Sequence, residues 1–474
     1  MPSEKESCST DETQGVAILK GDPKRAIWKL SGPLIVAMLL MSSYNVVNAI
    51  WVAGLGSDAL AAVGFISPVY MVIMGLGLGI GAGSTSAIAR RIGADDRTGA
   101  SNNAVHALLI AIILSAIITV PLVLYAEPLA LLFGAGTTAG LAASYGQIIF
   151  SGSFFIIFAN VAYGVLRAEG DTKRTMYAMV AASVLNMILD PILIYGLGLG
   201  IAGAAWGTVI SLAAVTVVLL YWFFVKKNLF VCLSWKVFIP SRSVTKDILA
   251  VGVPASVEYL AMSILSIILN LVLVVVATTD AVAVFSVGFR VLSFGIIPVV
   301  AIGTTVVSVV GAAYGARHYE KIRITHTFGI LFGIGIALCV SVITWVFAYQ
   351  IASIFSYSSE SAHLYPDIAA LLGVMCLIYP FVPLGIMSSS VFQGVGKGPT
   401  SLFLTIMRSL VFAAVFAFVF AILLGWGEKG VWWGMVVGEI AGGLLAFAWA
   451  RVYLARLDHR CCEDPALSQG SAFP

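Results

Sequence analysis

Charged side chains are scarce in this sequence. Asp, Glu, Lys and Arg make up 10% of its 474 residues, whereas hydrophobic residues make up 60%. A water-soluble domain needs more charge to cover its surface, so this composition excludes an ordinary soluble fold. Long apolar runs recur between Ile27 and Leu454, and each is long enough to cross about 30 Å of hydrocarbon as a helix. The pattern predicts twelve transmembrane helices.

The sequence also lacks the signs of several other protein classes. It has no short segments of alternating polarity, as β-barrel strands have, and its polar first residues contain no apolar core of a secretory signal. Its 6 cysteines do not frame a loop outside the membrane, which predicts no disulfide. Paired carboxylates, histidine clusters and nucleophile motifs are missing, so we predict neither an enzyme nor a bound organic cofactor.

Basic residues are distributed very unevenly. With twelve spans both termini lie on one side of the membrane, and 23 of the 26 Lys and Arg residues fall on that side. Only Lys429 falls on the other side, while Arg290 and Arg408 lie within spans. Because positive loops stay in the cytoplasm, we expect a multi-pass plasma-membrane protein with both termini cytoplasmic. Topology accounts for the basic residues, so no nucleic-acid partner is expected.

The two halves of the chain resemble each other. Residues 58–63 (DALAAV) match 280–285 (DAVAVF), and 203–207 (GAAWG) match 430–434 (GVWWG). Each half holds an even number of helices, so the repeat is parallel, as in transporters that alternate access by rocking. We predict an all-α fold of two pseudo-symmetric six-helix bundles, organised as a disordered cytoplasmic tail (1–20), an N-terminal bundle (21–225), a cytoplasmic linker (226–246), a C-terminal bundle (247–457) and a second disordered tail (458–474).

Four short motifs carry a family resemblance. They are 44–56 (YNVVNAIWVAGLG), 58–63, 186–191 (NMILDP) and 200–208 (GIAGAAWGT). Their order and spacing resemble the multidrug and toxic compound extrusion (MATE) transporters over about 21–457, and most closely the prokaryotic DinF-like and archaeal branch. The resemblance implies a V-shaped pair of bundles that functions as a monomer. It also implies export of organic, cationic or amphiphilic compounds by alternating access, coupled to inward proton or sodium flow.

Asp190 is the strongest candidate for the coupling chemistry. A carboxylate inside a membrane span is costly and usually marks an ion path. Asn186 lies one helical turn earlier on the same face, and Pro191 leaves a backbone carbonyl without its helical donor. Such oxygen donors suit sodium, and a carboxylate can instead carry a proton. The sequence leaves the choice of ion open.

The resemblance implies further members of this site. The predicted cation-coupling residues are Asp190, Asn186, Asn48, Asn45, Tyr145 and Thr208, with sodium held by Asp190, Asn186 and Asn48. Asn48 precedes Gly54 by six residues, as Asp190 precedes Gly196, so both are expected at similar depth. Similar transporters usually carry Asp at the position of Asn48. Three interpretations follow: a natural single-carboxylate sodium site, protonation of Asp190 alone, or an engineered Asp-to-Asn change.

Other side chains within the spans are candidates for substrate contact or for structural roles. The candidates for the substrate cavity are Glu258, Tyr44, Met41, Met187, Met262 and Asn160. Methionines and aromatic rings give an adaptable surface for varied amphiphiles. Arg290 and Glu439 enter their spans from the outer side at similar depth, which predicts a structural ion pair.

Two other functions are compatible with these observations. A flippase for lipid-linked saccharides or other lipids shares the superfamily fold, but such flippases tend to carry cavity arginines, and only Arg290 and Arg408 lie within spans here. A membrane-embedded lipid-modifying enzyme ranks lower, because the sequence lacks a catalytic motif. The expected partners are the lipid bilayer and a small organic substrate.

Overall fold

Helices account for nearly all of the ordered chain. The computed structural model describes residues 12–226, 228–233, 238–277, 279–356 and 362–463, and no strand occurs among them. Ten helices in these ranges are long and apolar enough to cross a membrane. The predicted all-α membrane fold is confirmed.

The first of two compact units contains the N-terminal segment up to Gly21 and Trp28–Ser256. Its helices α8 and α9 each continue into a π-helical turn, at Ile192–Gly196 and at Tyr221–Lys226. The helices up to the linker are α1 (Gln14–Lys20), α2 (Pro23–Ala53), α3 (Ser57–Gly93), α4 (Arg97–Leu124), α5 (Ala126–Leu132), α6 (Ala139–Ser151), α7 (Ser153–Ala168), α8 (Thr172–Pro191) and α9 (Gly200–Leu220).

The second unit contains Asp22–Ile27 and the residues from Val257 onward. Two π-helical turns, at Met407–Phe412 and Val419–Leu423, flank its helix α17. The helices after the linker are α10 (Arg242–Val276), α11 (Thr279–Gly315), α12 (Tyr319–Val346), α13 (Ala348–Phe355), α14 (Tyr365–Met375), α15 (Val382–Gly394), α16 (Gly398–Ile406), α17 (Ala413–Phe418) and α18 (Glu428–Glu463).

The fourth predicted span of each half is a broken helix. Helices α6 and α7 meet at Gly152 with a bend of 43°. Helices α14 and α15 are separated by a turn that contains Pro380, and Pro383 follows at the start of α15. Proline has no N–H to donate, and Pro380 lies where the second of these spans leaves the regular helix. Within the described ranges, ten continuous spans and the bent pair α6–α7 give eleven, and the shorter apolar helix α14, followed by α15, stands where the twelfth span is predicted. The matching breaks agree with the internal repeat.

Helix α10 contributes to both units, because its first half packs on α3. Gly79 leaves room for this contact, since a Cβ there would lie 2.4 Å from the backbone nitrogen of Ser256. Arg90 Nη2 also donates to Asp247 Oδ1 at 2.6 Å. The division between the units therefore falls after Ser256, whereas the predicted C-terminal bundle begins at residue 247.

Part of the predicted N-terminal tail is a packed helix. Val16 and Leu19 of α1 are buried, so hydrophobic burial holds this short segment in place. Gly15 and Gly170 allow the contact, because a Cβ at Gly170 would lie 2.5 Å from the backbone oxygen of Gly15. The prediction of disorder is thus wrong for Gln14–Lys20, and residues 1–11 lie outside the described ranges.

The predicted boundaries of the C-terminal tail and of the linker also differ from those in the structure. Helix α18 continues to Glu463, so 458–463 are helical, while 464–474 lie outside the described ranges. The linker ends earlier than predicted, because α10 begins at Arg242. Glu169 Oε2 accepts hydrogen bonds from the backbone N–H groups of Phe230 and Val231, at 3.0 and 3.3 Å, which fixes the linker to the first unit.

One cysteine contradicts the prediction that the chain has no disulfide. Cys232, which follows the two linker residues bound by Glu169, is disulfide-bonded. The prediction considered only cysteine position and compartment. The backbone N–H of Cys232 donates to Ser101 Oγ at 3.0 Å. Such hydrogen bonds hold the segment in place, so that the sulfur of Cys232 can stay close enough to a second sulfur to form a disulfide. Cys339 and Cys376 are free thiols.

Candidate functional site

The strongest candidate site lies between α8 and α9 in the first unit. Asp190 is fully buried near the end of α8, and Asn186 is buried one turn earlier on the same face. The position that a Cβ of Gly207 would take lies 2.3 Å from Asp190 Oδ1 and 3.7 Å from Asn186 Nδ2. The two predicted side chains are therefore neighbours, and both face α9.

Hydrogen bonds orient Asn186. Its Nδ2 donates to Thr208 Oγ1 at 3.3 Å, and that hydroxyl donates in turn to the backbone oxygen of Ala204 at 3.2 Å. Asn186 Oδ1 and both carboxylate oxygens of Asp190 then have no hydrogen-bond partner within the described ranges. We call these three atoms the oxygen cluster.

The oxygen cluster is suited to a cation. Buried polar atoms are nearly always satisfied, and three unsatisfied acceptors on two neighbouring side chains leave negative potential without a donor. Carboxylate and amide oxygens are hard ligands of the kind that alkali cations take, and a proton on the carboxylate would also neutralise the charge. Among the described residues there is no group of three or more His, Cys, Asp or Glu that could hold a metal ion.

A cavity in the same unit adjoins the oxygen cluster. About 530 Å³ of empty space opens between its helices. Asn186 and Thr208 line this cavity, so they belong both to it and to the site around Asp190. The other lining residues are Met41, Tyr44, Tyr70, Met74, Ile156, Ala159, Asn160, Tyr163, Met179, Ala182, Ser183, Ser211 and Leu212.

The structure brings some of the predicted residues to the cavity and leaves others away from it. Met41, Tyr44 and Asn160 line it, together with Asn186 and Thr208. The predicted coupling and cavity residues that do not line it are Asp190, Asn45, Asn48, Tyr145, Met187, Glu258 and Met262. Asn45 in particular is exposed, and its Nδ2 donates to the backbone oxygen of Met41 at 3.1 Å.

The sequence did not point to Gly207, Tyr70 or Tyr163 as site residues, and Met74 and Met179 were considered only among the many methionines of the spans, without being chosen for the cavity. The spacing of Gly203 and Gly207, four residues apart, is typical of close helix packing and could have marked the face of α9 that receives α8. The aromatic and methionine positions give no such signal. They depend on which helices are neighbours, and the sequence does not show that.

Glu258 is engaged in a separate polar cluster of the second unit. Ser401 Oγ donates to Glu258 Oε1 at 2.7 Å, and Gln393 Nε2 donates to Oε2 at 3.3 Å. Both carboxylate oxygens thus have donors, unlike those of Asp190. Met262, four residues further along α10, is exposed.

The predicted ion pair of Arg290 with Glu439 is wrong. Glu439 Oε1 instead accepts a hydrogen bond from Arg408 Nη1 at 2.5 Å, and both side chains are largely buried. Gly385 makes room for the arginine, since a Cβ there would lie 2.3 Å from Arg408 Cδ. Depth in the membrane, on which the prediction relied, does not show which helix faces α18.

The second unit has no counterpart of the carboxylate at Asp190. Gly434 corresponds to Gly207 in the internal repeat, and a Cβ at Gly434 would lie 2.4 Å from the Cα of Ala417. Backbone packing therefore fills the space that a carboxylate occupies in the first unit. The repeat therefore does not reproduce the surroundings of Asp190 at Gly434.

Comparisons with known proteins bear on this arrangement. A model of the MatE family matches 33–192 and 254–419, one match in each half of the repeat. Multidrug export protein MepA of Staphylococcus saprophyticus is 25% identical over 455 residues, which cover 94% of this chain and 97% of that protein.

Solved structures are similar over the whole fold. The outward-facing conformation of a multidrug resistance MATE family transporter of the MOP superfamily is 42% identical, with a TM-score of 0.93, and covers 95% of this chain and 100% of that chain. A MOP superfamily transporter from Pyrococcus furiosus, for which a reverse polarity of the binding pocket suggests a different function, is 41% identical. Its TM-score is 0.92, over 94% of this chain and 99% of that chain.

Proposed function

Because this chain belongs to the MatE family, we propose that it is a secondary active antiporter that exports small organic compounds in exchange for inward-moving protons or sodium ions. Full-length similarity to a multidrug export protein supports the export direction. The internal repeat supports alternating access, since parallel repeats commonly move against each other about a central path.

The oxygen cluster is the observation that carries the proposal. A fully buried carboxylate without a donor is unfavourable unless a cation or a proton binds to it at some point in the cycle. Asn186 and Thr208 belong to this site and also line the cavity. Ion binding at Asp190 and substrate binding in the cavity therefore depend on shared side chains, and an exchanger needs such coupling.

The lining of the cavity indicates the class of substrate. It combines three methionines and three tyrosines with a few amide and hydroxyl groups, and it includes no charged side chain. Such a surface suits apolar, amphiphilic or weakly cationic organic molecules. A lipid pyrophosphate would need basic groups, so these residues favour export of organic compounds over flipping of lipid-linked saccharides.

The cellular setting follows from charge and fold. We propose that the protein acts as a monomer in the plasma membrane. Both termini then lie in the cytoplasm, because 23 of its 26 basic residues lie on the terminal side of the predicted topology.

A transport assay with separated ion gradients tests the proposed function. Purified protein is reconstituted into liposomes with a fluorescent cationic dye, and a sodium gradient or a pH gradient is imposed alone. One of the two gradients is expected to drive dye movement in the wild type. Asp190→Asn keeps the shape of the side chain but removes its charge, so it should reduce gradient-driven transport to about the leak rate.

The control for this variant is Asp58→Asn, which makes the same chemical change at an exposed carboxylate at the start of α3. It should transport like the wild type. Transport by Asp190→Asn at the wild-type rate, with the protein still folded by circular dichroism, would contradict the proposal.

A further inference from the structure

Gly207 occupies an unusual position next to the oxygen cluster. Its ideal Cβ position lies 2.3 Å from Asp190 Oδ1, and real Cβ atoms essentially never come this close to another heavy atom. The carboxylate oxygen therefore takes the space that any other residue at 207 would fill with its side chain. The next residue, Thr208, holds Asn186 through its hydroxyl. Two consecutive positions of α9 thus control the two side chains of the oxygen cluster.

The internal repeat shows that this glycine has different roles in the two halves. At Gly434 the missing side chain allows direct backbone contact, with Ala417 Cα at 2.4 Å from the ideal Cβ position. At Gly207 the nearest atoms all belong to the side chains of Asp190 and Asn186. Close helix packing explains Gly434 but does not explain Gly207.

We propose that Gly207 is a positioning residue for cation coupling, which fixes the Asp190 carboxylate beside the Asn186 side chain and so determines how tightly the site holds its ion. This inference rests on the proposed function of Asp190 as the coupling group. A methyl group at 207 forces the carboxylate to rotate away from α9, which separates its oxygens from the amide oxygen. The ion then loses part of its ligand set, while α9 itself remains helical because alanine favours helix.

The first test separates ion affinity from turnover. Gly207→Ala is compared with wild type in proteoliposomes over a range of sodium concentrations and of pH, with the same dye. The ion concentration for half-maximal efflux is expected to rise about tenfold or more, the range seen when groups that orient ion ligands are removed, with a smaller change in the maximal rate. Gly64→Ala is the matched control, since Gly64 lies in α3 with nothing within 4 Å of its ideal Cβ position, and it should keep the wild-type curve.

The second test asks whether the methyl group conflicts with the carboxylate or with the backbone. Thermal unfolding is measured for Gly207→Ala, Asp190→Ala and the double variant. Gly207→Ala should lower the melting temperature in the wild-type background but leave it unchanged or raise it in the Asp190→Ala background, where the carboxylate is gone. Equal losses in both backgrounds, or failure of Gly207→Ala to fold in both backgrounds, would overturn the inference.

The outcomes distinguish this inference from the function on which it rests. If Asp190→Asn loses gradient-driven transport and Gly207→Ala keeps the wild-type ion dependence, only the role of Gly207 is refuted. If Asp190→Asn transports normally, the proposed coupling site itself is refuted.

Discussion

Single residues in this protein differ mainly in whether their buried charge has a partner. Arg408 and Glu439 neutralise each other in the second unit, and Glu258 has two hydrogen-bond donors. Of these three acids, only Asp190 has two carboxylate oxygens without a hydrogen-bond donor within the described ranges. The sequence identified Asp190 and Asn186 because carboxylates and amides are rare inside spans. It could not identify Arg408 as the partner of Glu439, since that depends on the helix packed against α18.

The buried pair makes a testable prediction about stability. Arg408→Met leaves Glu439 as an unpaired charge in a buried setting, so it should lower the free energy of unfolding by about 3–5 kcal/mol. The double variant Arg408→Met/Glu439→Gln removes the charge as well and should recover most of that loss. Chemical unfolding in detergent measures both. A double variant as unstable as the single one would show that packing of the arginine stem, not its charge, stabilises this region.

Helices that are set by the length of an apolar run were predictable, whereas local breaks within such runs were not. Ten continuous helices follow from long apolar runs. The break at Gly152 and the turn before α15 lie inside equally apolar runs, so hydropathy does not show them. The helix α1 was missed for the opposite reason, because it is only 7 residues long and its burial depends on two glycines meeting in the folded chain.

The linker contact at Glu169 predicts a pH effect on stability. Burial, together with the nearby Asp171, raises the pKa of Glu169 from 4.5 to about 8. The folded protein therefore keeps a proton that the unfolded chain releases above pH 4.5. This stabilisation is complete below that pH and is lost as pH rises through about 8, with a slope of about 1.4 kcal/mol per pH unit between the two values.

Glu169→Gln should remove this component, because an amide does not titrate yet its oxygen still accepts from the linker N–H groups. Unfolding is measured between about pH 5 and pH 8 for this variant and for Glu127→Gln, an exposed carboxylate at the start of α5. Only the Glu169 variant should show a flatter profile, and an unchanged slope would show that Glu169 is ionised in the folded protein.

The whole molecule follows the plan that its repeat predicts. Two six-helix halves, each with one broken helix, were predictable from duplicated motifs and from the number of spans. Membership of the family confirms the resemblance, whereas assignment to the DinF-like and archaeal branch stays a prediction. The cavity could not be predicted in detail, because its lining comes from five helices whose facing sides are set by packing.

Topology can be tested on the intact protein through its lysines. Lys429 is exposed at the start of α18 and is the only lysine on the predicted outer side. A membrane-impermeant amine reagent applied to whole cells should therefore modify Lys429 alone, and Lys429→Arg should abolish the labelling. Peptide mass spectrometry identifies the modified site, and labelling of Lys173 or Lys397 in sealed cells would reverse the predicted orientation.

The three methionines that line the cavity make the protein sensitive to oxidative stress. Met41, Met74 and Met179 present thioethers to the empty space, and oxidants convert such groups to polar sulfoxides. The oxidised lining would then bind the apolar parts of the substrates less well, while the carboxylate chemistry at Asp190 would not change. The oxidised protein would thus still bind its ion but would bind its organic substrate weakly. A methionine sulfoxide reductase would restore substrate binding.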